Sequence, residues 1–389
     1  MKVKMKKALC GFFALAAAVG LLLYPTAIKE SVLHSIFYCL TALVPSLFPF
    51  MAVSAYLVRA GIGSGAAAER TLGWLTRKLF RLPAACAAAI LMSFLGGYPT
   101  GAKSAALLLE QGEIDEEQAG RMLLFCVNPG VAFVVTFLGG TVLGNFRTGW
   151  LLFAAVTLSG VVIGIVSGFF GRKRPDQTAG VVNHSFKDTS NALTHAISDA
   201  SSGVVTMCAC IVLFSGITAL LHSTGVFQLL SLALSRLGLL TPMESSATLS
   251  FLWEVTGGVG AAQTLRVSPV FYAFGLAFGG LCVHLQVFSF FSALPCKKLR
   301  FFCFRLLHGL LAAGIYHALF LLLPTAARET FLSFGEISNV SALSGTAAGG
   351  LSLLCMCTAF LLVTGKQAEP KRVANPAKSI YNKGIKAKR

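Results

Sequence analysis

Apolar residues gather into ten runs, near 8–26, 34–58, 84–109, 122–143, 149–171, 203–222, 245–265, 269–292, 301–323 and 341–364, with short polar or basic stretches between them. A helix that crosses ~30 Å of hydrocarbon needs about 17–25 apolar residues. A transmembrane barrel would alternate polar and apolar positions instead. Two runs are interrupted. Gly96-Gly97-Tyr98-Pro99-Thr100-Gly101 cuts 84–109, and Thr256-Gly257-Gly258-Val259-Gly260 cuts 245–265. Such glycine and proline clusters break helices. A broken helix at membrane depth survives only where protein or a water-filled cavity satisfies its backbone. The pattern predicts an all-α polytopic membrane protein with two runs of a different kind.

Composition agrees with the pattern. The chain is 55% hydrophobic and 12% charged, against about 25% charged in soluble domains. Its 32 basic and 15 acidic residues leave a net charge of +17. Eleven of those charges lie at the two ends, in Lys2, Lys4, Lys6 and Lys7 and in the tail from Lys366. This distribution reads as a topology signal and an attraction to anionic lipid. No nucleic-acid partner is expected, because no aromatic or structured context accompanies the tail. The run 8–24 is read as an uncleaved first span rather than a signal peptide, despite Pro25-Thr26-Ala27 after it.

Basic loops then decide between two topologies. With all ten runs crossing, Arg172-Lys173-Arg174 falls outside, against the positive-inside rule. With 84–109 and 245–265 as re-entrant hairpins, eight transmembrane helices remain. Loop 59–83, Arg172-Lys173-Arg174, the cluster Lys297, Lys298, Arg300 and Arg305, and both termini are then cytoplasmic. The expected organisation has an N-terminal helix in 1–33 and a first repeat in 34–171. A cytoplasmic linker at 172–202 leads to a second repeat in 203–323. A last helix at 324–365 and a disordered basic tail at 366–389 follow. Each repeat runs span, linker, hairpin, span, span, in opposite orientations. Ser93-Phe94-Leu95 and Ser250-Phe251-Leu252 lead into the two breaks. Inverted repeats with paired broken helices mark many secondary transporters. The alternative is two kinks that serve packing alone.

The breaks carry the candidate chemistry. Tyr98 and Thr100 put hydroxyls at the first tip, and Gly101 completes the turn before Lys103. Lys103 is a functional candidate if it stays in the membrane; otherwise it snorkels to the surface. At the second tip Glu254 precedes Thr256 and Gly257 and could bind a proton, a sodium ion or a polar solute. Pseudo-symmetry sets Glu254 near Lys103, as a buried pair. Trp253 either stacks on a ring solute or packs. Asn128-Pro129-Gly130 breaks the span after the first hairpin, and Gly279-Gly280 holds the matching place after the second. Asn128 is a candidate polar contact. His284 is a candidate proton carrier or an interhelical hydrogen bonder. His308 and His317 read as structural, and Asp115-Glu116-Glu117 as a solvated helix start.

Eleven cysteines show no zinc spacing and no disulfide framework. Cys208, Cys210, Cys355 and Cys357 read as small core residues. The chain has no HExxH, no GxSxG and no Walker lysine, since Ala102 separates Gly101 from Lys103. Neither an enzyme, a metal site nor an organic cofactor is expected. Expected partners are a small-molecule solute, a coupling ion (sodium or proton), the bilayer and, compatibly with the pattern, copies of the chain itself.

Three stretches carry a resemblance: residues 43–50 (Leu-Val-Pro-Ser-Leu-Phe-Pro-Phe), Gly97-Tyr98-Pro99-Thr100-Gly101-Ala102-Lys103, and Asn128-Pro129-Gly130. Together they resemble the YlbJ-like sporulation integral membrane proteins. These are relatives of spore maturation proteins A and B in the group carrying a nucleoside-recognition, or Gate, domain. The resemblance covers roughly 30–325. Asn128-Pro129 departs from the expected Asn-Ser-Gly form and lacks its hydroxyl. The resemblance implies a transporter-like fold, a membrane of an endospore former and a role in spore cortex formation. The expected function is movement of a small polar or ion-coupled solute, nucleoside-like included, by alternating access. The competing expectation is a non-transporting scaffold for cortex assembly.

Overall fold

Pro45 lacks the N–H of an ordinary helical residue and crowds the carbonyl four residues before it. The chain accommodates it by widening into a π-helical segment just ahead, Cys39–Leu43. This joins α1 (Pro25–Tyr38) to α2 (Val44–Arg59). In the computed structural model, which describes residues 11, 15, 17–60, 72–170 and 189–323, every regular element is helical. The next elements are α3 (Trp74–Phe80), α4 (Cys86–Gly96), α5 (Tyr98–Glu110) and α6 (Glu116–Phe125). After them come α7 (Ala132–Val142, wound as a π-helix), α8 (Phe146–Phe169), α9 (Thr189–Ser223) and α10 (Val226–Ser235). The order ends with α11 (Pro242–Trp253), α12 (Val255–Thr264), α13 (Pro269–Phe278), α14 (Gly280–Ser289) and α15 (Lys298–Leu322).

Among the described residues four helices are long and apolar enough to cross a membrane: Phe146–Phe169, Asn191–Ser223, Pro269–Ser289 and Lys298–Leu322. Leu47–Arg59, Cys86–Gly96, Ala132–Val142 and Val226–Ser235 are shorter apolar helices. The expected span 122–143 is divided between α6 and α7 by the stretch 126–130. The N-terminal lysines, Arg172-Lys173-Arg174, the span 341–364 and the basic tail lie outside the described residues.

The two interrupted runs fold back on themselves. Glycine at 101 is required by close approach: a Cβ there would sit 2.7 Å from Ser93 Cβ and 1.8 Å from the Cys126 carbonyl oxygen. Residues eight apart in a straight helix are ~12 Å apart, so α4 and α5 lie side by side. Likewise a Cβ on Gly258 would meet Phe251 Cα at 2.8 Å, which sets α12 against α11. The first turn needs a positive φ, and Gly97 supplies it at 98°. The base of the first hairpin leads into α6, whose Gly120 abuts the Pro295 carbonyl near the start of α15. The base of the second meets the end of α7, where Gln263 Nε2 donates to the Val142 carbonyl at 3.0 Å. Helices α8 and α15 pack together, as do α2 and α9.

Three expectations are corrected. A turn between spans 8–26 and 34–58 was expected around 27–33, but α1 runs through it, and residues 17–23 lead into it as helix. Gly20 packs on Leu220, the Ser31 and Ser215 hydroxyls are 2.6 Å apart and Arg59 meets Asp199. This stretch therefore lies antiparallel against α9 between Leu220 and Asp199. The second half of the expected linker, 189–202, is the start of α9. Arg305, grouped with the cytoplasmic cluster, is fully buried inside α15. One reading is met directly: Asp115 caps α6 in a capping box with Gln118, followed by Glu116 and Glu117.

Candidate functional site

Helix breaks decide where polar groups collect, because each helix end leaves backbone donors or acceptors unpaired. At the second tip Glu254 adopts an extended backbone between α11 and α12. Its carboxylate accepts from Thr256 N–H at 2.8 Å, Thr256 O–H at 2.5 Å and Gly257 N–H at 2.6 Å. The negative group thus sits on the positive end of α12, as a strong N-cap. At the first tip Thr100 turns its hydroxyl back to the Gly96 carbonyl at 3.1 Å.

The two tips face one small cavity of about 40 Å³. Each half contributes the same three parts. The tips supply Gly97 and Tyr98, and Glu254, Val255 and Thr256. The long arms supply Leu43 and Leu47, and Met207 and Ile211. The broken spans supply Gly130 and Phe133, and Val283 and Gln286. The walls are largely apolar, with Glu254, Thr256, Gln286 and Tyr98 as the polar side chains. This is the character of a small-molecule site, apolar with a few placed polar groups.

Beside the cavity lies a second polar assembly. The break at Gly279 (φ 87°) frees the last carbonyls of α13. Tyr98 O–H donates to the Leu276 carbonyl at 2.7 Å. Arg305 donates from Nε to the Phe278 carbonyl at 3.0 Å and from Nη2 to the Ala277 carbonyl. Its Nη1 donates to His308 Nδ1 at 3.0 Å, and His308 Nε2 donates to the Val156 carbonyl of α8 at 3.1 Å. His284 Nε2 donates to the same Phe278 carbonyl at 3.0 Å. A cation at the C-terminus of a helix is favourable, and this one ties α13, α15 and α8 together. Asn128 does the same for α6, donating to the Phe125 carbonyl at 2.6 Å; its own Oδ1 is buried with no partner.

The expected site residues therefore divide. Tyr98, Glu254 and Thr256 line the cavity. Gly257 donates to Glu254 behind it. Thr100, Gly101, Asn128 and His284 are buried in packing or helix-end contacts next to it, and none of them lines it. Lys103 and Glu254 do not pair. Lys103 Nζ lies 3.6 Å from Asp199 Oδ1, and Arg59 holds Asp199 Oδ2 at 2.5 Å. The pseudo-symmetry argument fails here because Lys103 lies on the flank of α5, away from its tip. Trp253 packs on Phe214, with ring centroids 5.2 Å apart. Asp199 and the capping role of Arg305 escaped the sequence reading. Asp199 sits in a polar stretch that resembles a linker, and Arg305 follows a run of basic residues.

No family model matches the chain, and no solved structure matches it. The chain is similar to Sporulation integral membrane protein YlbJ of Bacillus subtilis (strain 168), with 27% identity over 341 residues. The similarity covers 80% of this chain and 82% of that protein. The resemblance to the YlbJ-like family carried by the motifs is thus borne out over most of both lengths.

Proposed function

We propose that the chain is a sporulation-associated membrane protein that moves a small solute through the cavity between the two hairpin tips, by alternating access of two inverted repeats. The carrying observation is the cavity itself, to which each half gives a tip, an arm and a broken span. The hairpin bases support the inverted relation. The first lies at the end of the molecule where α15 begins, the second at the end where α7 finishes. Arm α2 ends where Arg59 meets Asp199, about three turns into arm α9. Transporter sites commonly lie at such repeat interfaces. The end carrying Arg59, Arg81, Lys297, Lys298 and Arg300 is the cytoplasmic one by the positive-inside rule.

In this reading Glu254 supplies the one formal charge that faces the cavity among the described residues and takes the coupling sodium ion or proton. Tyr98, Thr256 and Gln286 orient the polar edge of the solute, while Leu43, Leu47, Phe133 and Ile211 hold its flat or apolar body. A nucleoside-like molecule has that division. Arg305, His308 and Asn128 are positioning residues that keep the breaks open.

The test is a thermal-shift screen on purified protein, with nucleosides, amino acids, dicarboxylates and cortex precursors, each with and without sodium. A ligand at a hundredfold its Kd stabilises by ~2.7 kcal/mol. The expected result is a solute that raises Tm in the native protein and not in Glu254→Gln. If nothing stabilises the native protein, and Glu254→Gln still supports sporulation, transport falls and a scaffold takes its place.

A further inference from the structure

Asp199 joins parts of the molecule that the transport cycle has to separate. It stands on α9, the arm of the second half. Arg59 closes the arm α2 of the first half and holds Asp199 Oδ2 through Nη2 at 2.5 Å and Nε at 2.6 Å. Lys103, on the first hairpin, reaches Oδ1 at 3.6 Å, and its Nζ lies 5.9 Å above the Phe290 ring at the end of α14. One carboxylate therefore has a cation on each oxygen, from two elements of the opposite half. The three side chains are only 18–27% exposed.

The seam between this cluster and the cavity is apolar. Met51 and Ala52 of α2 pack against Ala200 and Val204 of α9, with Phe48 and Cys208 beside them. A Cβ on Gly203 would strike Met51 Cε at 2.4 Å, so the arms are in direct contact there. Beyond this plug lie the cavity residues Leu47 and Met207. The ion cluster thus caps the seam at the end where α2 finishes. Charge pairs among apolar groups are stronger than in water, and charge-assisted contacts are short and directional.

We propose that Arg59, Asp199 and Lys103 form an ionic latch that holds the two arms together and closes the cavity toward the basic end of the molecule. The latch rests on the transport reading: opening on that side requires α2 and α5 to part from α9, and the latch must break first. Asp199 is a gating residue and touches no solute.

The experiment uses the full chain, with native cysteines replaced by serine or alanine and Ile211→Cys placed on the cavity wall. It is reconstituted in vesicles of known orientation, and a membrane-impermeant maleimide is added from either side. With the latch intact, labelling from the Arg59 side is expected to be slow. Asp199→Asn is expected to raise that rate at least tenfold and leave the rate from the other side unchanged. Asp199→Glu should restore the slow rate. Lys103→Met, which keeps the Arg59 pair, should give a smaller rise on the same side, and it serves if Asp199→Asn does not fold. Rates unaffected by Asp199→Asn and Lys103→Met would overturn the latch. So would a rise from the opposite side. The two readings separate cleanly. Solute binding with latch-independent labelling sinks the latch alone, and latch-dependent labelling without any stabilising solute sinks transport alone.

Discussion

A helix that stops inside a membrane cannot hand its last carbonyls to water, so something in the protein has to take them. At the end of α13 that role falls to Arg305, which serves the Ala277 and Phe278 carbonyls and His308 at once. Arg305→Met should leave the Ala277 carbonyl and His308 Nδ1 unpaired, while the Phe278 carbonyl keeps His284, and lower stability by roughly 3 kcal/mol, each buried orphan costing ~1–3 kcal/mol. Denaturation in detergent, followed by Tm, would read this. His317, exposed on the outer face of α15, is the contrast: His317→Ala should stay within ~0.5 kcal/mol of native. Both histidines of α15 read alike in the sequence, and only the fold separates them. Glu254 was legible because a lone acid inside an apolar run has no bland explanation. Arg305 was not, because it follows Lys297, Lys298 and Arg300, and linear proximity hides that α15 has already entered the core. Asp199 was hidden the same way, by its serine-rich neighbours.

Helical elements were legible where glycine and proline break an apolar run, and less so where a helix is polar at its start. Both hairpins follow the breaks at 96–101 and 254–260. Helix α9, by contrast, begins in residues that no hydropathy window selects. Its signal is a stripe, Ala192, Ala196 and Ala200, buried at every fourth position and continued by Val204. The turn expected around 27–33 failed for the opposite reason. Lys29 and Glu30 interrupt the apolar run, yet helix tolerates them on its exposed face. The hairpin geometry has its own check. Gly101→Ala would drive a Cβ into the Cys126 carbonyl, and should cost about 3 kcal/mol or more through forced backbone shifts. Gly260→Ala meets no atom within 4 Å and should be neutral or gain up to ~1 kcal/mol. Expression level and Tm of the pair distinguish a folded-back α4–α5 from a straight helix. The packing of α1 on α9 has another. Cys39, in the π-helical segment after α1, and Cys208 of α9 pack in the same core, so a membrane-permeant oxidant is expected to link them within one chain. The product would appear as an altered gel mobility, lost in Cys208→Ser.

At the scale of the whole molecule, the argument turns on which ends share a side. The base of the first hairpin, at Gln111, and the base of the second, at Ser268, are both exposed. The first lies toward α15's start, where Gly120 abuts the Pro295 carbonyl. The second lies toward the end of α7, where Gln263 holds the Val142 carbonyl. Two further contacts fix the direction between them. Gly168 of α8 rests on the Phe80 carbonyl, on the same side as Arg121, while Gly149 of the same helix rests on Gly139 of α7. Helix α8 therefore runs from the α7 end back to the basic end. On the transport reading, these contacts set the two hairpins to enter a bilayer from opposite faces. Gln111→Cys should be labelled by an impermeant maleimide from the cytoplasmic side only, and Ser268→Cys from the external side only. Labelling of both from one side would mean that the halves are not inverted. The matching tips, arms and broken spans around the cavity would then be a packing coincidence, and the transport proposal would lose its structural ground. Opposite labelling would instead leave Glu254 midway between the two faces, the position alternating access requires of its coupling site.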